Sequence, residues 1–243
     1  MATPLTHFPR PSVAVDIAVL SVILDPGASG PGRLAVLLHD PSRTPGGRAL
    51  PGRFLREGQT VAKSVVDVLA IKAGLHDVRA EARLLRVFDD PQRDPRGWTV
   101  SLAHSLTLAP HLLQQATGEW VGVTRSGRLD SGESLLFDHD AIVDEAAAAI
   151  RARYEQRPDP DGLLDSAFTM AALKSVHEAV LGERLLKDTF RRRMEPLLRP
   201  MLDADGGRVV RSDGGRPAQV YVRAEDRPPS ASNQRRLLLP RVE

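Results

Sequence analysis

The chain contains no cysteine. That excludes disulfides and a thiol nucleophile, and it suits a reducing cytosol. Lysine is nearly as scarce, occurring at Lys63, Lys72, Lys174 and Lys187 while arginine carries the remaining positive charge. A GC-rich coding sequence explains this bias without any function. The longest apolar stretch, Val13 to Leu24, is interrupted by Asp16 and Ser21. It falls short of the roughly 20 residues that a bilayer span needs. No basic segment followed by an apolar run opens the chain, so no signal peptide is expected. The expectation is a cytoplasmic protein without a membrane partner. There is no G-x-S-x-G, no P-loop and no G-x-G-x-x-G, which removes three common sources of hydrolytic or nucleotide-binding chemistry. Asp138-His139-Asp140 invites a metal reading, but carboxylates also suit a helix N-terminus, and capping is the better account. His104, His111 and His177 have no acidic or nucleophilic partner at a suggestive spacing. No catalytic residue, metal ligand or resident cofactor is expected.

What is present is unevenly spread. The 243 residues have room for one large domain or two small ones. Net charge is only +2, yet the stretch from Glu183 to Glu243 holds 14 basic and 9 acidic residues, against 19 and 22 in the remainder. A basic last third on a mildly acidic body suits a polyanionic partner there, and equally a solvated surface.

Hydrophobic patterning predicts strands at Val13–Leu24, Leu34–Leu38, Ala82–Phe88, Trp98–Leu108 and Trp120–Val123. Turn-rich segments separate them at 25–32 and 41–48. Thr60 is a suitable N-cap for a helix running to about Lys72, with Gly74 at its end. A second, alanine-rich helix follows Asp138 and runs to about Tyr154. Arg157-Pro158-Asp159-Pro160-Asp161-Gly162 cannot continue a helix and is placed as a linker between domains.

The second domain opens with Thr169 as N-cap, and Phe168 and Leu173 are spaced for a hydrophobic staple. Leu173, Val176, His177 and Val180 follow helical spacing up to Gly182. A further helix carries Phe190, Met194 and Leu197 on one face and arginines on the other. Pro196 should end it near Glu195, because proline lacks an N–H and crowds the preceding turn. Val209 to Tyr221 reads as a hairpin turning at Asp213-Gly214-Gly215. Two helices followed by a basic-tipped hairpin outline a winged helix-turn-helix over 163–224. Residues 225–243 are expected to be a poorly ordered tail.

The most specific segment is Leu50–Leu75, LPGRFLREGQTVAKSVVDVLAIKAGL. It resembles a Nudix box, G-x5-E-x7-R-E-U-x-E-E-x-G-U with U aliphatic. Its frame is kept in Leu50-Pro51-Gly52, Phe54, Arg56-Glu57-Gly58, Leu69 and Gly74-Leu75. Its reactive positions are changed. Arg53 stands for the glycine and Gln59 for the first glutamate. Asp67-Val68 stands for Arg-Glu, and Ile71-Lys72 for Glu-Glu. In the intact box, carboxylates at i, i+3 and i+4 share one helix face and hold Mg²⁺, which neutralises phosphate and activates water. Here those positions are Val68, Ile71 and Lys72, two hydrocarbons and a cation.

Three features together resemble the Nudix-related transcriptional regulators, the NrtR family. They are the altered box, the run Arg93-Asp94-Pro95-Arg96-Gly97 with Trp98-Thr99-Val100-Ser101-Leu102-Ala103, and the pairing of Phe190-Arg191-Arg192 with Gly215-Arg216-Pro217-Ala218 and Tyr221. Phe137-Asp138-His139 also matches a family run. The resemblance implies an α+β protein: a Nudix-like α/β/α sandwich over 1–156, the linker 157–162, then the winged helix. It further implies a repressor of NAD-metabolism genes that binds operator DNA. ADP-ribose or a related pyridine nucleotide is the implied effector, and pairing through the Nudix-like domains makes a homodimer. Arg53, Arg56, Glu57, Arg93 and Arg96 are the candidate effector ligands, since arginine binds diphosphates bidentately. Each arginine equally suits a surface salt bridge. Asp94 is expected to stabilise its own loop. Lys187, Thr189, Arg191, Arg192, Arg193, Arg211 and Arg216 are the candidate DNA contacts. Of the three consecutive arginines, two should face the groove and one should lie along the domain surface. The alternatives are an ADP-ribose pyrophosphatase and a nucleotide-binding adaptor.

Overall fold

Alternate residues of a strand face opposite ways, and in β1 (Ser12–Ile23) both sets are apolar, so this strand is covered on both sides. Val15, Ile17 and Val19 enter one core with Val65, Val68 and Leu69 of helix α1 (Val61–Ala73). Ala18, Leu20 and Val22 enter another, with Ile142, Val143 and Ile150 of α2 (His139–Tyr154). A computed structural model describes residues 7–24, 32–39, 46–76, 81–212, 217–224 and 236–237.

The sheet around β1 contains β2 (Arg33–Leu38), β3 (Gly52–Phe54), β4 (Ala82–Phe88), β5 (Thr99–Thr107), β6 (Glu119–Gly122) and β11 (Arg236–Leu237). Their order is β11-β4-β5-β1-β2-β6, and β3 joins β1 beside β2. β1 and β5 run parallel, and every other pairing in this sheet is antiparallel. One edge of β1 is divided: Leu20–Ile23 pair with β2, while Ala14–Asp16 pair with β3. Gly52 lies opposite Asp16, and a Cβ there would sit 1.9 Å from Asp16 Oδ1. Only glycine lets β3 approach the carboxylate this closely.

Local signals fix the α1 boundaries. Thr60 accepts a hydrogen bond from the Lys63 amide, and Gly74 closes the helix at φ 67 in the left-handed region. Asp138, expected to cap α2, makes no side-chain cap bond. Its carboxylate is drawn to Arg93 instead, because a bidentate charge-assisted pair outweighs one cap bond. Asp140 takes the amide of Leu135 at 3.1 Å.

The C-terminal unit holds β7 (Ala167–Thr169), α3 (Met170–Leu181), α4 (Lys187–Met194), β8 (Leu198–Pro200), β9 (Val210–Arg211) and β10 (Ala218–Arg223). Its antiparallel sheet runs β7-β10-β8, with β9 on β10. Thr169 caps α3 through the Ala172 amide. Phe168, Leu173, Phe190, Met194, Leu198 and Tyr221 form its small core. The other face of α3 sends Val176, Ala179 and Val180 into the core over β1 and β2. The two units therefore share a helix. Pro196 ends α4 at Met194, as proline must, and a 3-10 turn follows. Leu197 is carried outward by that turn and is 43 % exposed, contrary to its expected place on the buried face.

The connector is packed. Asp159 is buried and takes φ 46. The turns expected at 25–31 and 213–215, most of the segment 41–48, Arg216, and the tail at 225–235 and 238–243 lie outside the described residues. Arg236–Leu237 of that tail pair with β4.

Candidate functional site

A cavity of about 560 Å³ opens where β1 parts from β2. Its lining comes from the start of β1, β3, the end of α1, the β4–β5 loop and the start of α2, and includes Asp16, Arg53, Lys72, Arg93, Arg96 and His139. The size suits a small organic ligand.

Its floor is a buried polar network. Arg93 donates Nε and Nη2 to Asp138 at 2.8 and 2.6 Å, and Nη2 lies 3.5 Å from Asp16. Ser101 donates to Asp16 at 2.6 Å. The Leu50 amide donates to His139 Nδ1 at 3.0 Å. That leaves the proton on Nε2, which lies 3.6 Å from Asp16. Burial pushes the Asp16 carboxyl pKa up, but His139, Ser101 and Arg93 outweigh it and hold the group ionised, below its usual value. The network is thus closed on itself and shapes the cavity.

The mouth is cationic and aromatic. Arg96 is bound to Asp94 at 2.7 Å and lies over the rings of Phe137 and Phe54, at 4.8 and 5.4 Å. Asp94 also accepts the Arg96 amide at 3.0 Å, the loop-stabilising role expected of it. Phe137 is held at φ 60, a left-handed conformation that costs a non-glycine residue energy and recurs at functional sites. Arg53 reaches Asp67 at 3.4 Å, and Asp67 also accepts from Gln59 and Lys63 at 2.8 and 2.7 Å.

Of the expected effector residues, the structure brings Arg53, Arg93 and Arg96 to the cavity, and leaves Arg56 and Glu57 exposed outside its lining. Asp16, Lys72, Phe137 and His139 were not singled out as cavity residues from the sequence. Lys72 lies in the altered box and Phe137 and His139 in a family run, but the contacts that gather the site around Asp16 span tens of residues. At the box positions that hold Mg²⁺ in the intact pattern, Val68 is buried, Ile71 is exposed and Lys72 faces the cavity. This donor set does not fit a hard divalent cation. Among the described residues no group of three or more His, Cys, Asp or Glu is placed to hold a metal.

The winged helix shows a second charged surface. Lys187, Thr189, Arg191, Arg192 and Arg193 are exposed on α4, and Arg211 on β9. The three arginines differ. Arg191 is paired with Glu195 at 3.0 Å. Arg193 turns back to the Glu155 carbonyl at the end of α2. Arg192 and Lys187 have no partner among the described residues. Arg199 and Arg208, exposed beside the wing strands, add to this surface and were not anticipated.

An α/β/α sandwich with an altered Nudix box, sharing a core with a winged helix, defines a Nudix-like sensor-type architecture fused to a DNA-binding module. The family model for the NrtR DNA-binding winged helix domain matches residues 162–222. The chain is 30% identical over 230 residues to the ADPR responsive transcriptional repressor NtrR of Acinetobacter baylyi, covering 89% of this chain and 83% of that one. It matches the crystal structure of Shewanella oneidensis NrtR complexed with a 27mer DNA at a TM-score of 0.64 and 25% identity, over 87% of this chain and 93% of that one. A shorter match, 33% identical over 95 residues, is to an ADP-ribose pyrophosphatase of Methanocaldococcus jannaschii, covering 39% of this chain and 54% of that one. The chain belongs to the NrtR family.

Proposed function

We propose that this protein is a transcriptional repressor of NAD-metabolism genes, with ADP-ribose or a related pyridine nucleotide as the effector bound in the Nudix-like cavity. The observation that carries this reading is the relative named as an ADPR responsive repressor, whose similarity spans both halves of the chain. The cavity supports it: arginines for a diphosphate, and the flat faces of Phe54 and Phe137 for a base. The α4 and wing surface supports the other half, with Lys187, Arg192 and Arg211 exposed toward a polyanion. The protein acts in the cytoplasm, and no helix among the described residues is long and apolar enough to cross a membrane. It pairs through the Nudix-like domains, so that two winged helices meet half-sites about one duplex turn apart. The effector lowers DNA affinity only if it binds the DNA-free arrangement better.

The box does not favour hydrolysis. Val68, Ile71 and Lys72 supply no oxygen ligand for a metal, so the chain binds a nucleotide without cutting it. The pyrophosphatase alternative rests on the shorter match. A gel shift with the upstream region of the protein's own gene cluster, with and without ADP-ribose, tests the repressor. Specific retardation that weakens steeply with salt and responds to ADP-ribose is expected. Absence of a shift at low salt would leave a nucleotide-binding adaptor, and sustained AMP release with Mg²⁺ would restore the enzyme.

A further inference from the structure

The cations around the cavity are not equivalent. Arg53 has Asp67, Arg93 has Asp138 and Asp16, and Arg96 has Asp94. Lys72 faces the same space, half-buried in the last turn of α1, and has no partner among the described residues. The C-terminus of α1 does not require it, because Gly74 already closes the helix with its own amide. A half-desolvated ammonium among three guanidinium groups is a cation awaiting an anion.

Its position gives that anion a chemical class. Lys72 occupies a box position that in the intact pattern carries a carboxylate for Mg²⁺. The metal does two things there: it neutralises the diphosphate and it activates water. An ammonium group performs the first, as a compact positive charge with three donors. It cannot perform the second, because it coordinates no water to be made acidic. We propose that Lys72 is the built-in replacement for the divalent cation, contacting the diphosphate of the bound nucleotide so that effector binding needs no metal. This rests on the nucleotide reading of the cavity. It adds that, of the altered box positions, Lys72 supplies the positive charge that the lost metal would have brought to the ligand.

Titration calorimetry of ADP-ribose into the full-length protein, once in EDTA and once in Mg²⁺, tests it with wild type, Lys72→Met and Lys72→Arg. Thermal melting of each variant checks that it is folded. The expected result is wild-type affinity equal within about twofold in the two buffers, a loss of about tenfold or more in Lys72→Met, and most of the affinity kept in Lys72→Arg. Wild-type binding that appears only with Mg²⁺ would overturn the proposal. So would Lys72→Met binding as tightly as wild type. Both of those outcomes leave the nucleotide reading standing. Absence of wild-type binding in both buffers would instead remove that reading, and the role of Lys72 with it.

Discussion

Tyr154, the last residue of α2, donates its hydroxyl to the Asp159 carboxylate at 2.7 Å across a segment rich in proline and aspartate. The same carboxylate receives the amides of Leu163 and Leu164 and the guanidinium of Arg223 on β10. Two residues on, Asp161 is gripped by Arg83 of β4 and Arg153 of α2. The connector is therefore a buried polar junction between the cavity-bearing unit and the winged helix. Together with the shared face of α3, it ties the two units by direct contact.

Replacing Asp159 tests how much the junction holds. Asp159→Ala leaves the Tyr154 hydroxyl and two amides without their acceptor and Arg223 with only the Leu164 and Asp159 carbonyls, and removing one side of a buried pair costs about 3–5 kcal/mol. Urea unfolding followed by circular dichroism should show a loss of that order. A loss below about 1 kcal/mol, the range of exposed ion pairs, would show that the junction contributes little.

His177 makes the junction sensitive to acid. Its ring lies 5.0 Å from those of both Tyr154 and Phe190, and its Nε2 accepts the Asp159 amide at 3.3 Å. Burial lowers its pKa to about 4, against the opposing charge of Asp159, and its Nδ1 is buried without a hydrogen-bond partner among the described residues. The unfolded chain takes up this proton near pH 6.5, the folded chain only near 4. Stability is thus complete above pH 6.5 and falls as pH drops toward 4, by on the order of 3 kcal/mol. Melting temperatures of His177→Gln should change less than wild type between pH 7 and 4.5. Parallel profiles would remove this role for His177.

Glu195 gives the opposite kind of group at the end of α4. It takes Arg191 at 3.0 Å and the Tyr221 hydroxyl at 2.6 Å, tying the helix to β10. The bond from Arg191, then that from Tyr221, hold its pKa down to about 2. A carboxyl depressed in the fold stabilises it above the unfolded value near 4.5 and loses that contribution as pH falls through about 2. Its partial exposure to solvent trims the size of the effect. The difference in melting temperature between wild type and Glu195→Gln should be constant above pH 5 and vanish near pH 2. A difference independent of pH would mean that the carboxylate charge is not what binds the two elements.

Much of the fold was legible because its signals are local. β1 is apolar on both alternating sets, α1 carries its own caps in Thr60 and Gly74, and Pro196 stops α4 where proline must. The three-residue strands β3, β7 and β8 are too short to show a period, and they were missed. The cavity was half legible. Arg53, Arg93 and Arg96 lie in recognisable runs, whereas His139 arrives through a bond to Leu50, 89 residues away. Asp138 looked like a cap because sequence shows neighbours, and Arg93 is 45 residues distant. Asp159 reads only as part of a linker for the same reason, since its partners lie on α2, α3 and β10.

The three consecutive arginines of α4 separate by geometry, and DNA binding should separate them too. Phe190 and Met194 are buried one turn apart, which fixes the rotation of the helix. That rotation turns Arg193 toward the Glu155 carbonyl and leaves Arg192 exposed and without a partner among the described residues. A guanidinium bound to the protein must give up that bond to reach a phosphate, whereas Arg192 gives up only water. A phosphate contact also releases a counterion, so its loss flattens the salt dependence by about one unit of slope. Arg192→Ala should therefore weaken operator binding and reduce the slope of log affinity against log salt by about one. Arg193→Ala should leave the slope unchanged and act on thermal stability, through the lost tie to α2. Fluorescence anisotropy of labelled operator DNA over a range of salt measures both. Equal slopes for the two variants would show that α4 meets DNA with a different face.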